Sequence, residues 1–600
     1  MSIDINKQQV DIENLFKQNE NDLSAIKELY KRIEELGEKI TQIKYIDSTL
    51  VKKIKKEYES LKKQILDENV VLQLDNKIDE IKSQLDNKIN ESKNEINSQL
   101  DSIENNVKEI NISKMDGSTP EEKLKKAIEK LENGGTVILD INVDLTEPLH
   151  LNRGVNIIST NKNKITRCFD KNVSGIAIYM KGKNKIDGII YDGGSSKISV
   201  TGNDYIYYED LTDVHEGNCI ISNVEFINSC GSFITNSTNN LIVENCTFGE
   251  YLDHCVYIGG RSYENKYSNN IVIRNNYINT KESGRQVFKI RNGATNVTIE
   301  NNYVVSNGWF ISIDILNGTD SQAELRENEN IYIRNNCATV CRFLLMSNED
   351  LYTKNLFVEN NDIKCSDVCF CIGDYPTTFQ NGCSVENLYI NNNKIYSESN
   401  KEVFRFNGLI NGGLKNVNVN NNHINYNNNV FVSLLGNTNN INFMSNNICL
   451  NKQEFSYNNL LIMNFADNYI QYKPTVVGNI NFENNSINGF YWSLLSQNLS
   501  TSSLPNIYNN VYIKNNSFHI KGNFKIINVT NDTNNLITTK CEVIKNNIDC
   551  KGDVYLPEYP NSLFTSDMIN IKNSTAGDID SLKNDFNNLL MKLKTLNIIY

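Results

Sequence analysis

Proline and glycine are scarce in this 600-residue chain, 7 and 31 in number, and tryptophan occurs only twice. So few turn-forming residues argue against a string of ordinary globular domains, although roughly 150 residues per domain would suggest about four. No run approaches the ~18 consecutive apolar residues of a transmembrane helix, so no membrane insertion is expected. The start, Met1-Ser2-Ile3-Asp4-Ile5-Asn6, lacks the basic and apolar segments of a secretory signal. Cysteine is absent before Cys168, and the 14 present in a chain read as leaderless are expected to stay reduced. A net charge of -12 leaves no basic face and excludes nucleic acid as a partner. What is abundant is asparagine, roughly one residue in six, several-fold above average usage.

The two ends carry helical seams. Ile26, Leu29, Ile33, Leu36, Ile40 and Ile43 alternate steps of three and four, the heptad pattern of a coiled coil. Ile78, Ile81, Leu85, Ile89, Ser92, Ile96, Leu100, Ile103 and Val107 step by three, four and four, a period that gives a nearly straight or slightly right-handed coil. Ile579, Leu582, Phe586, Leu589, Leu593, Leu596 and Tyr600 close the chain with a further heptad run. Seams this narrow need partner chains to be buried, so an oligomer is expected. The heptads leave dimer and trimer open.

Between the ends a nine-residue phrase recurs. It reads Asn-Leu-Ile-Val-Glu-Asn-Cys-Thr-Phe from Asn240 to Phe248 and returns from Asn270, Asn296, Asn330, Asn355, Asn387, Asn416, Asn440, Asn479 and Asn510. A degenerate copy starts at Lys540. The interval, about 30 residues, is that of a solenoid. Apolar residues at the second, fourth and ninth positions (Ile271, Ile273, Ile278; Val297, Ile299, Val304) predict a short strand with one face inward. Asparagine pairs such as Asn275-Asn276 and Asn360-Asn361 follow; Asn tolerates left-handed backbone, which suits a sharp corner. Stacked corners would let the amides form a ladder. A second strand follows each phrase at variable distance, as in Val256-Tyr257-Ile258, Phe288-Lys289-Ile290 and Ile311-Ser312-Ile313. No 12-residue amphipathic segment fits inside a repeat, which excludes helical solenoids, and the leucine-rich pattern is absent. A right-handed parallel β-helix remains.

Thr119-Pro120-Glu121-Glu122 supplies an N-cap, a proline at the first helical position and the glutamate of a capping box. Leu124, Ala127, Ile128 and Leu131 form one apolar face, and Gly134-Gly135 ends the helix. Such a helix can cover the open end of a β-helix. Asp116-Gly117-Ser118-Thr119, Ala127-Ile128 and Gly134-Gly135-Thr136-Val137-Ile138-Leu139 together resemble the opening of the pectate-lyase-like β-helix domains of phage tailspikes. That family usually continues with Pro-x-Gly-x-Tyr, where this chain has Asp140-Ile141-Asn142-Val143-Asp144.

The resemblance, over roughly residues 113 to 552, implies a mostly β homotrimer: a right-handed parallel β-helix preceded by a long coiled coil and followed by a short one. The expected segments are 1–25 for virion attachment, 26–112 coiled coil, 113–135 capping helix, 136–552 β-helix, 553–575 linker and 576–600 C-terminal trimerisation coiled coil. It also implies a phage tail fibre or tailspike, assembled in the host cytoplasm and carried on the virion. Its expected partners are two further copies of itself, tail or baseplate proteins at the N-terminus, and a host surface polysaccharide. A depolymerase (lyase or glycosidase) on the same scaffold is the alternative. A bacterial surface adhesin ranks below both, lacking an export signal or anchor.

Chemistry on such a scaffold needs outward residues of neighbouring coils in one column. Aligned second strands put Tyr257, Lys289 and Ser312 in one column and Gly259, Arg291 and Asp314 in another. Asp253, His254 and Arg261 flank the first of these coils; Glu282 and Arg285 precede the second. A lyase would use Lys289 or His254 as base and Arg291 or Arg261 to stabilise charge. The competing structural reading is an ion-pair ladder from Arg291 to Asp314. No two carboxylates share a column, which weakens a hydrolase.

For sugar binding, the candidates are Trp309 after Asn307-Gly308, Tyr491-Trp492, Tyr263, Tyr267 and Arg261. The outward column is read as turning apolar at Phe370, Val432 and Met463, which predicts a neighbouring β-helix packed there. Cys337, Cys365, Cys369, Cys371 and Cys449 fall in or beside strand patterns and are read as small hydrophobes. No zinc spacing is present, so neither metal nor cofactor is expected.

Overall fold

Each nine-residue phrase folds into two strands joined at a left-handed asparagine. In the copy from Asn270, strand Asn269–Arg274 ends at Asn275, whose φ is 56°, and strand Tyr277–Thr280 follows. The same φ, 54° to 57°, recurs at Asn301, Asn335, Asn360, Asn421, Asn484 and Asn515. A third strand, Gln286–Arg291, completes the coil. The computed structural model describes residues 109–571 apart from 171–172, 195–216, 230, 237–238, 260–266, 281–284, 316–324, 349–350, 374–382, 409–412, 452–459, 467–475, 492, 500–505, 531–535, 551–553 and 556–568. The expected coiled coils, and with them the seams that call for an oligomer, lie outside the described residues.

Stacking these coils produces three long parallel sheets, of 16, 16 and 12 strands among the described residues. Strand neighbours are successive coils rather than successive strands, so the chain winds as a solenoid. The arrangement is that of a parallel β-helix, and right-handed crossovers are the rule for such connections. Inward residues form continuous columns: Leu241, Ile271, Val297, Ile331, Leu356 and Leu388 sit in register on the first sheet, and each is 0% exposed. Burial of each such side chain contributes about 1.5–3 kcal/mol.

The seventh position of the phrase holds the corners together. A buried amide ladder runs from Asn276 through Asn302, Asn336, Asn361, Asn393, Asn422, Asn446, Asn485 and Asn516 to Asn546. Each Nδ2 donates to the next Oδ1 at 2.9 to 3.0 Å. Asn361 is typical. Its Nδ2 donates to Asn393 Oδ1 and to the Ile333 carbonyl, both at 2.9 Å, while its Oδ1 accepts from Asn336 N at 2.9 Å and Asn336 Nδ2 at 3.0 Å. All four hydrogen-bonding positions of the amide are filled.

The first position builds a second ladder, part-buried, that the sequence pattern does not announce. Asn270 donates to Asn240, Asn355 to Asn330, Asn387 to Asn355 and Asn416 to Asn387, at 2.8 to 3.1 Å. These residues also take left-handed backbone, as at Asn270 (φ 57°) and Asn355 (φ 54°). The sense of donation is reversed: toward the N-terminus here, toward the C-terminus in the buried ladder.

The capping helix, α1, spans Pro120–Lys130, with Leu124, Ala127 and Ile128 buried against the first coils. Thr119 Oγ1 accepts the Glu122 N–H at 3.2 Å as expected of an N-cap. Glu122 reaches one residue further back than a capping box would, accepting from Ser118 N at 2.8 Å and Ser118 Oγ at 2.7 Å. The sheet boundaries differ from the segment limits read in the sequence. Strand Glu109–Asn111 precedes α1 and pairs with Gly135–Ile138; Val554–Tyr555 and Ile569–Ile571 extend the third and second sheets. An end strand of a solenoid leaves N–H and C=O groups unpaired, and these short flanking strands meet them.

Among the described residues no helix is long and apolar enough to cross a membrane, and no group of three or more His, Cys, Asp or Glu is arranged to hold a metal ion.

Candidate functional site

The predicted columns are present on the outward face of the third sheet. Tyr257 pairs with Lys289 and Lys289 with Ser312, while Gly259 pairs with Arg291 and Arg291 with Asp314. Gly259 is required beside Tyr257, since a Cβ there would lie 2.5 Å from the Tyr257 ring. Gly308, where the chain turns into the third strand of its coil, passes so close to the Arg285 carbonyl that a Cβ would sit 1.8 Å from it.

The charged side chains of these columns are paired, and Lys289 and Asp314 are buried. Lys289 forms an ion pair with Asp314 and donates to Ser312 Oγ at 3.0 Å. Arg291 Nε lies 3.4 Å from the other oxygen of Asp314. Lys289, Ser312 and Asp314 are only 8%, 2% and 4% exposed, although they lie on the outward face. One coil earlier, Arg285 Nη1 bonds Asp253 Oδ1 at 2.6 Å, and the other Asp253 oxygen lies 3.2 Å from His254 Nε2. His254 Nδ1 faces the Gln286 carbonyl at 3.1 Å, and its ring packs 5.6 Å from that of Tyr257. Two carboxylates thus each bridge two nitrogen-bearing groups, which gives the cluster the geometry of a buried ion-pair network.

His254 shows the electrostatic balance. Burial drives its pKa down to about 4, the Lys289 and Arg285 charges add to the shift, and the Asp253 carboxylate opposes it. The imidazole is neutral at pH 7 even though both ring nitrogens face oxygens. In the unfolded chain it titrates near 6.5. Between those values the unfolded state binds a proton that the folded state does not, so stability falls as pH drops from 6.5 to 4. The full loss is about 3 kcal/mol and persists at lower pH. Melting temperatures followed from pH 7 to 4 should therefore fall more steeply for the wild type than for His254→Gln.

The aromatic candidates separate. Trp309 is half-buried against Leu345, Val368 and Cys371, with the Arg342 guanidinium 5.2 Å from its ring centroid. Tyr267 has Arg326 over its ring at 3.8 Å. Tyr491 is a correction: it lies in the core at 0% exposure and accepts a hydrogen bond from the Tyr426 hydroxyl at 3.1 Å. Burial pushes both phenols well above their ordinary range. The Asn488-Gly489-Phe490 turn that singles out Tyr491 does not show that its ring turns inward. Tyr263, Arg261, Trp492 and Glu282 lie outside the described residues.

Phe370 and Val432 also need correcting. Both pair with Phe404 in an inward column and are 0% exposed. The outward neighbours are Cys371, Arg405 and Ser433, so the slip is one residue, which in a strand reverses the face. The backbone of Met463 pairs in register with Ser433. Leu345 and Cys371 in that column are covered by the chain's own Val368 and Trp309, and call for no partner. The described cysteines form no disulfide. Cys365, Cys369 and Cys371 are buried as expected, whereas Cys337 is exposed.

One surface feature escaped the sequence reading. The third position of the phrase carries Tyr332, Phe357 and Tyr389, which stack with centroids 4.9 Å apart on the outward face of the first sheet. The same column continues as an amide ladder, Asn442 to Asn418 at 2.8 Å and Asn481 to Asn442 at 2.6 Å. Aligning third positions across the copies would have revealed it. Charges beside the column are neutralised in pairs, Arg334 with Glu300 at 2.8 Å and Lys415 with Glu386 at 3.0 Å.

These features define a parallel β-helix whose side wall offers aromatic rings, amides and paired charges. Solved structures similar to the chain include an exopolygalacturonase from Thermotoga maritima, at 17% identity over 53% of this chain and 87% of that one, with a TM-score of 0.41. A mutant tailspike protein of the E. coli bacteriophage HK620 matches at 12% identity over 74% and 73% of the two chains, TM-score 0.35. The pre-mature gene product 12 of bacteriophage phi29 matches at 13% over 74% and 72%, TM-score 0.40. No protein family and no curated protein matches the sequence. These scores are low, and the fold is assigned from the strand pairings above.

Proposed function

We propose that this chain is a phage tail fibre or tailspike subunit that attaches the virion to a bacterium by binding a surface glycan along the β-helix wall. The observation that carries the reading is the outward first-sheet column, where stacked rings give way to an amide ladder between self-neutralised charges. Aromatic faces beside amide groups match the apolar faces and hydroxyl rims of sugars. The heptad seams at both ends support an oligomer; the tailspike resemblance makes it a homotrimer whose N-terminal segment docks on tail or baseplate proteins, with assembly in the host cytoplasm.

The depolymerase reading rests on the convergence of Lys289, Arg291, His254, Asp253, Tyr257 and Asp314 predicted from the sequence. Against it, Lys289 is buried and two of its three N–H donors go to Asp314 and Ser312. The test is to incubate the full-length protein with a panel of purified bacterial capsular and cell-wall polysaccharides. Saturable binding with unchanged chain length is expected. Shortened chains or a new unsaturated-uronate absorbance would make it an enzyme, and cleavage that survives Lys289→Ala would move the active site elsewhere. Absence of binding to the whole panel would sink the attachment reading.

A further inference from the structure

The second sheet presents a strip only two residues wide, because its four-residue strands turn their first and third side chains outward. On it stand Tyr277 and Tyr303, 45% and 46% exposed, larger in open aromatic surface than any other described residues. They occupy one column, with centroids 5.4 Å apart and planes within 1° of parallel. Each ring covers one face of the other and leaves its second face directed along the solenoid. Those outer faces look toward exposed, short side chains: Thr247 in the coil paired with Tyr277, and Cys337 in the coil paired with Tyr303, with Thr339 beside it. Asn279 Nδ2 lies 3.5 Å from the Tyr277 hydroxyl, at the rim of the pair. The nearest charges along the strip are matched, Asp362 with Lys394 at 3.3 Å, Lys364 with Glu398 at 3.0 Å and Glu225 with Lys162 at 3.6 Å.

From this arrangement we infer that Tyr277 and Tyr303 form a stacking site for uncharged pyranose rings of a surface glycan. One sugar seats on the outer face of Tyr303 above Cys337 and Thr339, and another on the outer face of Tyr277 above Thr247. A saturated ring has apolar C–H faces and a hydroxyl rim, which an aromatic face bordered by threonine hydroxyls and an asparagine amide complements. The self-paired charges leave nothing to attract an acidic sugar, and the chain's net charge of -12 repels polyphosphates. Two rings are far too little for a stable protein interface, which needs about 1,000 Å². The site rests on the attachment reading above and adds to the first-sheet column a second contact, on a different face from the buried Lys289 cluster.

The test is a glycan array read with the full-length protein. It carries isomalto-oligosaccharide, galactan and rhamnan fragments, with hyaluronan and polygalacturonate fragments as the anionic set. A bound neutral fragment is then titrated by calorimetry. Tyr303→Ala and Tyr277→Ala should each weaken binding by about ten-fold or more, Thr339→Arg should block it, and Tyr303→Phe should retain it. Val173→Ala, an exposed apolar residue in a loop, should leave that affinity unchanged. Exposed positions keep these variants folded, which unchanged melting temperatures confirm. Equal binding of a neutral fragment by wild type and Tyr303→Ala overturns the site and leaves the attachment reading intact, as does binding confined to anionic fragments. If the wild type binds nothing on the array, both fall.

Discussion

Asp314→Ala is expected to destabilise the protein by about 3–5 kcal/mol, the cost of leaving one partner of a buried ion pair without the other. Lys289 is 8% exposed and has Asp314 as its counter-charge, with Arg291 on the second oxygen. Removing the carboxylate strands two cations on the same face of the third sheet. Replacing the pair together, as Lys289→Met with Asp314→Leu, should recover the share of the loss that comes from stranding Lys289, because matched apolar residues avoid the desolvation that the ions require, while the more exposed Arg291 keeps contact with water. The midpoint of guanidinium unfolding reports both. The double variant also bears on function: unchanged glycan binding alongside restored stability would mark the cluster as structural, whereas lost binding would give it a direct role. A wild-type midpoint for Asp314→Ala alone would contradict the burial on which this rests.

The second large effect belongs to the amide ladder. Asn361→Ala removes four hydrogen bonds and leaves groups on both neighbouring coils, the Asn336 N–H and the Ile333 carbonyl among them, short of a partner. At about 1–3 kcal/mol for each buried group left unmet, the loss is roughly 3–6 kcal/mol. Asn361→Asp is the sharper probe. Its carboxylate keeps the two acceptor bonds from Asn336 but turns both donations into oxygen–oxygen contacts. Burial then favours the protonated acid in the folded state, so its pKa rises on folding. Stability contributed by a group with a raised pKa is lost as pH increases, so this variant should recover toward acid, opposite in slope to the His254 effect. Unfolding midpoints at pH 4 and pH 7 distinguish the two.

What could be read in advance follows the repeat. Position-by-position recurrence exposes several properties that the coils share: the inward columns, the left-handed sixth residue, the ladder at the seventh and the alignment of Lys289 with Tyr257 and Ser312. Properties that depend on one coil alone are harder. Phe370 and Val432 were placed outward because the loops between phrase and third strand vary in length; successive rungs of the buried ladder lie from 24 to 39 residues apart. Without a fixed spacing the register of the third sheet slips by one, and each slip exchanges the two faces. Tyr491 fails for another reason: the Asn488-Gly489-Phe490 turn before it marks a turn but not the direction of the next ring. Burial of Lys289 and Asp314 is likewise invisible in a strand pattern, which shows direction but not what covers a face. Tyr277 and Tyr303, by contrast, share the eighth position and stand in plain view once copies are aligned there.

The two asparagine ladders donate in opposite senses along the same axis. A single ladder of aligned amides would act as a lengthening dipole, accumulating partial positive charge at one end and negative at the other, as a helix does. Paired antiparallel ladders cancel within each coil. The ladders therefore add little dipole of their own however many turns there are, and a whole coil can be duplicated or deleted without building up ladder charge at either end. In such a protein, reach becomes a quantity that can change by recombination in steps of one coil while the chemistry of the tips and walls is left as it was.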